Sequence, residues 1–238
     1  MNSPQASTGF ALIHGAGLAG WIWRDVGAAL ALPHLACEYP GRDAPSRISS
    51  LGLADYVSHI EGQIAAWPVP NVVLVAHSIG GVVALSVAEA LGPRVAGFVA
   101  VSAAIPADGG SFLSVLPLPQ RILTRVIMRV FGTRPPASAI RSGMCSDLPA
   151  ATATDVVRRF VPEALRLYTD PAGAVVPAVP RLYIRSTEDR EFSTGLQDRM
   201  IENLDADEVV DVETGHLPML AAPGHVAAAL NRFVDEMV

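Results

Sequence analysis

Ser78 lies in Ala76-His77-Ser78-Ile79-Gly80-Gly81, between the apolar run Asn71–Ala76 and a second apolar run that begins at Gly80. A serine hydroxyl attacks a carbonyl only if a base takes its proton, and the base needs an orienting carboxylate. A sharp strand-to-helix turn at Ser78 would raise its oxygen above a sheet. Such a turn demands small residues two positions to either side. Ala76 and Gly80 meet that demand, although glycine is usual at the first position. Ile79 would open the helix with its backbone N–H free to face a developing oxyanion. A Ser-Gly turn without chemistry is the plain alternative; a strand before it and a helix after it count against that reading.

Acyl transfer needs a second N–H donor opposite the turn. His14-Gly15-Ala16-Gly17 follows the first strand-like run, and Ala16 is the candidate donor. Six histidines compete as base. His34, His59 and His225 fall at a strand start or on helices. His14 reads as a hydrogen-bonded structural residue, and His77, beside the nucleophile, should point away from the serine oxygen. His216 differs: Glu213-Thr214-Gly215-His216-Leu217-Pro218 is a loop between the last strand and the last helix, where a parallel sheet gathers its chemistry. Asp189, in Thr187-Glu188-Asp189-Arg190, is the candidate acid. Glu188 is a close rival and Asp108 a weaker one. The chain order Ser78, Asp189, His216 is that of a strand-turn-helix nucleophile with its two partners on later loops.

These residues need a scaffold, and the chain alternates strand and helix. Strands are predicted at Phe10–Ile13, His34–Tyr39, Asn71–Ala76, Val95–Val101, Arg181–Ser186 and Glu208–Val212. Helices are predicted at Trp21–Leu32, Gly80–Leu91 and Ser193–Asn203. Leu53, Val57, Ile60, Ile64 and Trp67 form one helical face, and Val226, Leu230, Phe233 and Met237 another. Continuous apolar strands between helices imply an α/β architecture: a mostly parallel sheet covered on both faces. The rhythm fails from Ile105 to about Val179, where Gly109-Gly110 and Pro135-Pro136 flank helical stretches near Gln120–Phe131 and Thr154–Tyr168. The expected organisation is a core of residues 1–105 and 180–238 with a mainly helical cap, 106–179, inserted between core strands.

Composition narrows the classes. Half of the 238 residues are hydrophobic and 17% are charged, enough for a large core. A net charge of −6 gives no reason to expect nucleic acid or an anionic membrane as partner. All the basic side chains are arginine, so no lysine Schiff base or lysine general base exists. Cys37 and Cys145 lack metal or redox spacing and read as reduced thiols of a cytoplasmic protein. The start, MNSPQASTGF, has no basic region followed by an apolar core and does not read as a signal peptide. Val72–Leu91 is long enough to cross a bilayer, but it breaks at His77-Ser78, resumes after Gly80-Gly81 and carries Glu89. It reads as strand, turn and helix. No metal or cofactor motif is present, and oligomeric state is left open, a homodimer included.

ALIHGAGLAGWIW, LVAHSIGGVVAL, RLYIRSTEDREF and ETGHLPMLAAPGHV, with CSDLPAATATDVVRRFVPEAL in the cap, together resemble the plant-type methylesterase and hydroxynitrile lyase branch of the α/β-hydrolases and its bacterial esterase relatives. The resemblance implies the α/β-hydrolase fold, a triad of Ser78, His216 and Asp189 in preference to Glu188, and oxyanion donors at Ala16 and Ile79. The lyases of that branch carry Thr directly after the oxyanion-loop His and Lys directly after the catalytic His. Here Gly15 and Leu217 stand at those positions. Without that cation, cyanohydrin cleavage is disfavoured and ester hydrolysis favoured. The expectation is a cofactor-free serine carboxylic ester hydrolase acting on small to medium hydrophobic esters, with Phe112, Leu113, Leu116, Leu118, Ile122, Val126 and Met128 as an apolar wall. A thioesterase or C–C hydrolase on the same triad is the alternative enzyme, and a triad-bearing small-molecule receptor with little turnover the alternative outside catalysis.

Overall fold

The computed structural model describes residues 8–42, 45–173 and 175–237; the first seven residues, part of the segment weighed above as a signal peptide, lie outside the described residues. Six strands, β1 (Thr8–Ile13), β2 (His34–Ala36), β3 (Asn71–His77), β4 (Val95–Val101), β5 (Arg181–Ser186) and β6 (Glu208–Val212), form one sheet in the order β2-β1-β3-β4-β5-β6. Every strand pairing is parallel. The helices are α1 (Arg24–Gly27), α2 (Leu53–Ala66), α3 (Gly80–Leu91), α4 (Leu118–Phe131), α5 (Ala137–Ser142), α6 (Ala150–Arg159), α7 (Leu165–Thr169), α8 (Thr194–Leu204), α9 (Pro218–Ala221) and α10 (Pro223–Glu236). The alternating pattern implied this α/β architecture with its parallel sheet, and the resemblance implied the α/β-hydrolase fold that the sheet adopts.

Side-chain alternation divides the core into two layers. Ala11, Ile13, Leu74, Ala76, Phe98 and Tyr183 face α2 and α3, where Tyr56, Ile60, Ile64 and Val83 meet them. Phe10, Leu12, Val73, Val75, Val99 and Leu182 face the other way, onto Trp23 and Val26 and onto Val226, Leu230 and Phe233 of α10. A strand buried on both sides has no position at which a polar residue could reach water, so these strands read as unbroken apolar runs. The chain leaves β1 toward β2 on one side and returns with β3 on the other. That reversal opens a crevice at the C-terminal ends of β1 and β3, the place where open parallel sheets bind ligands.

Three elements differ from the sequence reading. The expected helix Trp21–Leu32 is a 3-10 turn, Gly20–Trp23, continued by α1 only to Gly27. Glycine is a poor helix former, and Pro33 holds Leu32 out of the helical region ahead of β2. The expected strand His34–Tyr39 pairs with β1 over three residues and then leaves the sheet edge; Tyr39 turns inward and donates its hydroxyl to the His14 carbonyl at 2.7 Å. The expected helix Thr154–Tyr168 is two helices, α6 and α7. Pro162 cannot donate to a helix ladder, and the Val161 N–H is turned to the Gly17 carbonyl at 3.0 Å.

The segment between β4 and β5 holds α4 to α7 and is fastened to the rest at several points. Gly215 N–H donates to Asp147 at 2.7 Å, Gly173 N–H to the Ser86 hydroxyl at 2.8 Å and Leu53 N–H to Asp170 at 3.2 Å. Among the described residues, no helix is long and apolar enough to cross a membrane; Val72–Leu91 is β3, a turn and α3. Cys37 and Cys145 are buried and unpaired.

Phe98, fully buried at the centre of β4, fills space that smaller side chains cannot. Phe98→Ala is expected to destabilise the protein by about 3–5 kcal/mol, read as a lower urea midpoint with an unchanged slope.

Candidate active site

Ser78 follows β3 directly and adopts φ 55°, in the left-handed region that non-glycine residues rarely occupy. The turn is pinned on both sides. Ser78 N–H donates to the Val101 carbonyl at 3.3 Å, and its own carbonyl accepts from Gly81 N–H at 3.1 Å and Ala104 N–H at 2.9 Å. The hydroxyl is thereby lifted out of the sheet. His216 Nε2 stands 3.0 Å from Ser78 Oγ, and His216 Nδ1 stands 2.7 Å from Asp189 Oδ2. A carboxylate only accepts, so Nδ1 carries the ring proton and Nε2 offers its lone pair to the serine O–H.

Asp189 is itself held by backbone amides. Asp189 Oδ1 accepts from Glu191 N–H at 2.7 Å and Phe192 N–H at 2.9 Å, which leaves Oδ2 for the histidine. Its rivals are elsewhere: Glu188 and Asp108 are exposed. Burial is the strongest influence on His216 and disfavours the imidazolium. The Asp189 charge and hydrogen bond, helped by the Glu191 charge, outweigh it and hold His216 above the ordinary histidine value.

The other histidines do not reach the serine oxygen. His77 donates Nε2–H to the His216 carbonyl at 2.8 Å, and burial keeps it neutral by pushing its pKa far down. It braces the base loop. His14 donates Nδ1–H to the Gly15 carbonyl at 2.8 Å, and burial lowers its pKa to about 3. His34, His59 and His225 are exposed.

The amides of Ala16 and Ile79 flank Ser78 and donate to no backbone acceptor among the described residues. Gly15 passes so close to the turn that a Cβ there would sit 2.7 Å from His77 Nδ1 and 2.9 Å from Ser78 Cβ. A side chain at position 15 would therefore require His77 or Ser78 to shift. Gly17 has φ 78°, and a side chain on it would run into the Phe160 ring.

Sequence reasoning missed the residues that hold these loops in place. Glu163 is buried, accepts from Arg42 Nη2 at 2.6 Å and Tyr56 Oη at 3.0 Å, and also accepts from Gly17 N–H at 3.3 Å. Arg42 in turn donates to the Leu18 carbonyl at 2.8 Å. With Val161 on its carbonyl, Gly17 is held at both ends of its peptide unit. Burial pushes the Glu163 carboxyl up, and Arg42, Tyr56 and Gly17 pull it back only part of the way. Gln197, fully buried on α8, accepts from Ser186 N–H at 3.1 Å and donates to the Ser186 and Phe192 carbonyls, bracketing the acid loop. A glutamine on the apolar face of a helix is a visible oddity; Glu163 and Arg42, over a hundred positions apart, carry no such signal.

A cavity of about 200 Å³ opens above Ser78 and His216, lined by Phe112, Leu116, Met128, Phe160 and Tyr168, with Gln120, Thr124 and Glu191 as polar groups. The expected apolar wall is therefore corrected in part. Phe112, Leu116 and Met128 line the cavity, Leu113 belongs to the core, and Leu118, Ile122 and Val126 face solvent. A larger hollow of about 740 Å³ lies at the other end of the sheet around Arg181 and Asp207 and contains neither Ser78 nor His216. Among the described residues, no three His, Cys, Asp or Glu side chains gather in a way that could hold a metal ion.

The family model for alpha/beta hydrolases matches residues 10–230. The chain belongs to the alpha/beta hydrolase family. It is 29% identical over 238 aligned residues to a carbendazim hydrolyzing esterase of Nocardioides sp. strain SG-4G, covering 93% of this chain and 97% of that one. An extracellular α/β-hydrolase from a Paenibacillus species has TM-score 0.83 at 20% identity, covering 94% of this chain and 98% of the other. An Arabidopsis methylesterase has TM-score 0.73 at 20% identity, covering 96% and 99%. The likeness to methylesterase-type α/β-hydrolases thus holds for family and fold.

Glu163→Ala would leave the Arg42 guanidinium without its carboxylate. The expected loss of stability is about 3 kcal/mol, the low end for breaking a buried pair because the Arg42 side chain keeps 19% exposure. Urea unfolding measures it.

Proposed function

We propose that this protein is a serine esterase that works through an acyl-enzyme formed on Ser78. The observation that carries this reading is the unbroken hydrogen-bond chain from Ser78 Oγ through His216 to Asp189, at 3.0 and 2.7 Å, opening into the apolar cavity. The family and the 29% identical esterase support hydrolysis as the reaction class.

In this mechanism His216 Nε2 takes the Ser78 proton as Oγ attacks the ester carbonyl carbon. The imidazolium is stabilised by Asp189, which stays ionised. The carbonyl oxygen becomes an oxyanion and accepts from Ala16 and Ile79 N–H, which donate to no backbone acceptor among the described residues. His216 then gives its proton to the departing alcohol oxygen as the C–O bond breaks. Water, deprotonated by His216, attacks the acyl-enzyme, and the proton returns to Ser78 as the acid leaves. No step calls on a cofactor.

The cavity favours small to medium hydrophobic acyl or alcohol groups, since about 200 Å³ walled by Phe112, Leu116, Met128 and Phe160 excludes bulky ones. Glu191 adds a selectivity of sign. Its carboxylate at the cavity wall repels an ester that carries a second, ionised carboxyl group, so neutral esters are preferred over half-esters of diacids.

Ser78→Ala is expected to lower kcat for a p-nitrophenyl ester by about 10⁴–10⁶-fold, with fold retained, and to abolish fluorophosphonate labelling. Full activity in that variant would refute the mechanism. The free base is the active form of His216, so kcat/KM rises with pH through its raised pKa and is flat above it. Asp189→Asn removes the charge that raises this pKa and leaves burial to lower it. The acid limb is therefore expected to move to lower pH while kcat falls by about 10⁴-fold. A pH–rate profile of both forms reads the two effects separately.

A further inference from the structure

Helix α4 is built inside out. Gln120, Thr124 and Met128 line the cavity above Ser78, and no residue of the helix is fully buried. Away from the cavity the helix carries Leu118, Ile122, Leu123, Val126 and Val130, each 53 to 65% exposed. At 3.6 residues per turn these share one broad face. Five large apolar side chains on one helix face expose on the order of several hundred Å², the range in which a surface patch signals a partner.

The charge around this face differs from the rest of the chain. From Gly109 to Ser146 there are five arginines and no acid, whereas the remaining sequence holds twelve arginines and all 23 acids. Arg121, Arg125 and Arg129 recur at every fourth position along α4. None of the five pairs with a carboxylate among the described residues. Arg121 donates to the Ser114 carbonyl, Arg134 to the Phe160 carbonyl and Arg141 to the Thr154 hydroxyl. Elsewhere Arg42, Arg181, Arg185 and Arg232 are all ion-paired.

We propose that α4 docks this protein on an anionic lipid bilayer, its apolar face lying in the interface and its arginines against the headgroups. A basic amphipathic helix with a wide apolar face suits that surface, where burial and charge attraction add. The helix, 14 residues long, lies on the bilayer and does not cross it; among the described residues no helix is long and apolar enough to span. A second copy fits less well. A two-fold contact of α4 on α4 would bring Arg125 and Arg129 of both copies together with no acid from 109 to 146 to offset them. The whole-chain charge of −6, which gave no reason to expect such a surface, averages over this local excess. The docking does not rest on the esterase reading.

The test is vesicle co-sedimentation of the full chain carrying Ser78→Ala, so that the outcome is independent of catalysis. The expected result is binding to phosphatidylcholine vesicles containing phosphatidylglycerol, weakening as salt rises, and little binding to phosphatidylcholine alone. Arg125→Glu with Arg129→Glu should bind at least roughly thirtyfold more weakly, each arginine contributing as a basic residue does near an anionic surface. Ile122→Ser with Val126→Ser and Val130→Ser should also release the protein. Both variants in the Ser78 background should hydrolyse a short soluble ester as the parent does, which shows that they fold. No sedimentation with phosphatidylglycerol at low salt overturns the proposal, as does equal binding by the Arg125/Arg129 variant. A concentration-dependent dimer abolished by the serine variant would instead assign the face to a second copy and overturn it as well.

Discussion

Ser78 holds its backbone at φ 55°, and no other part of the site can be arranged until that turn is made. Left-handed backbone costs a serine on the order of 1–3 kcal/mol and persists only where the surroundings over-determine it. Here they do. β3 delivers the chain, α3 carries it away, and the ends of β4 and its following loop bond the Ser78 peptide from both sides. The strain has a geometric return: the hydroxyl stands 3.0 Å from His216 Nε2.

The loops that carry His216 and Asp189 are bonded to one another beyond the ends of their strands. Thr187 N–H reaches the Val212 carbonyl and Glu188 N–H the Thr214 carbonyl, each at 3.0 Å. The hydroxyls of Ser102, Ser186 and Thr214 form a buried chain across the ends of β4, β5 and β6, with 2.8 and 3.4 Å between successive oxygens. His77 closes the circuit by donating to the His216 carbonyl. The alignment of Ser78, His216 and Asp189 is therefore a property of the whole C-terminal edge of the sheet.

The segment between β4 and β5 is fastened unevenly. Around Val161 and Glu163 it grips the Gly17 peptide and the Arg42 and Tyr56 side chains through buried, partly charged bonds. Around α4 it touches the body through few side chains and turns its apolar face outward. One part thus holds the loop that stands opposite Ser78, and the other contributes one wall of the cavity while leaving a surface to be covered.

The sequence by itself determined the order of strands and helices, the turn at Ser78 and the loops that carry Asp189 and His216. These follow from short-range rules: apolar runs of strand length, small residues at a tight turn and polar groups where a strand ends. Gly15 and Leu217 were legible in the same way, as single positions in recognisable segments. The tertiary structure alone decided the rest. It set Asp189 against His216 Nδ1 and left the neighbouring Glu188 exposed. It joined Glu163 to Arg42 across 121 positions, and it split the helix expected over Thr154–Tyr168 because Val161 bonds Gly17 instead of continuing a ladder. It also turned Leu118, Ile122 and Val126 away from the cavity that the sequence had them lining. The physical reason is common to all four. A local pattern states that a side chain is apolar or charged, but which neighbour removes it from water depends on residues brought together only when the chain is folded.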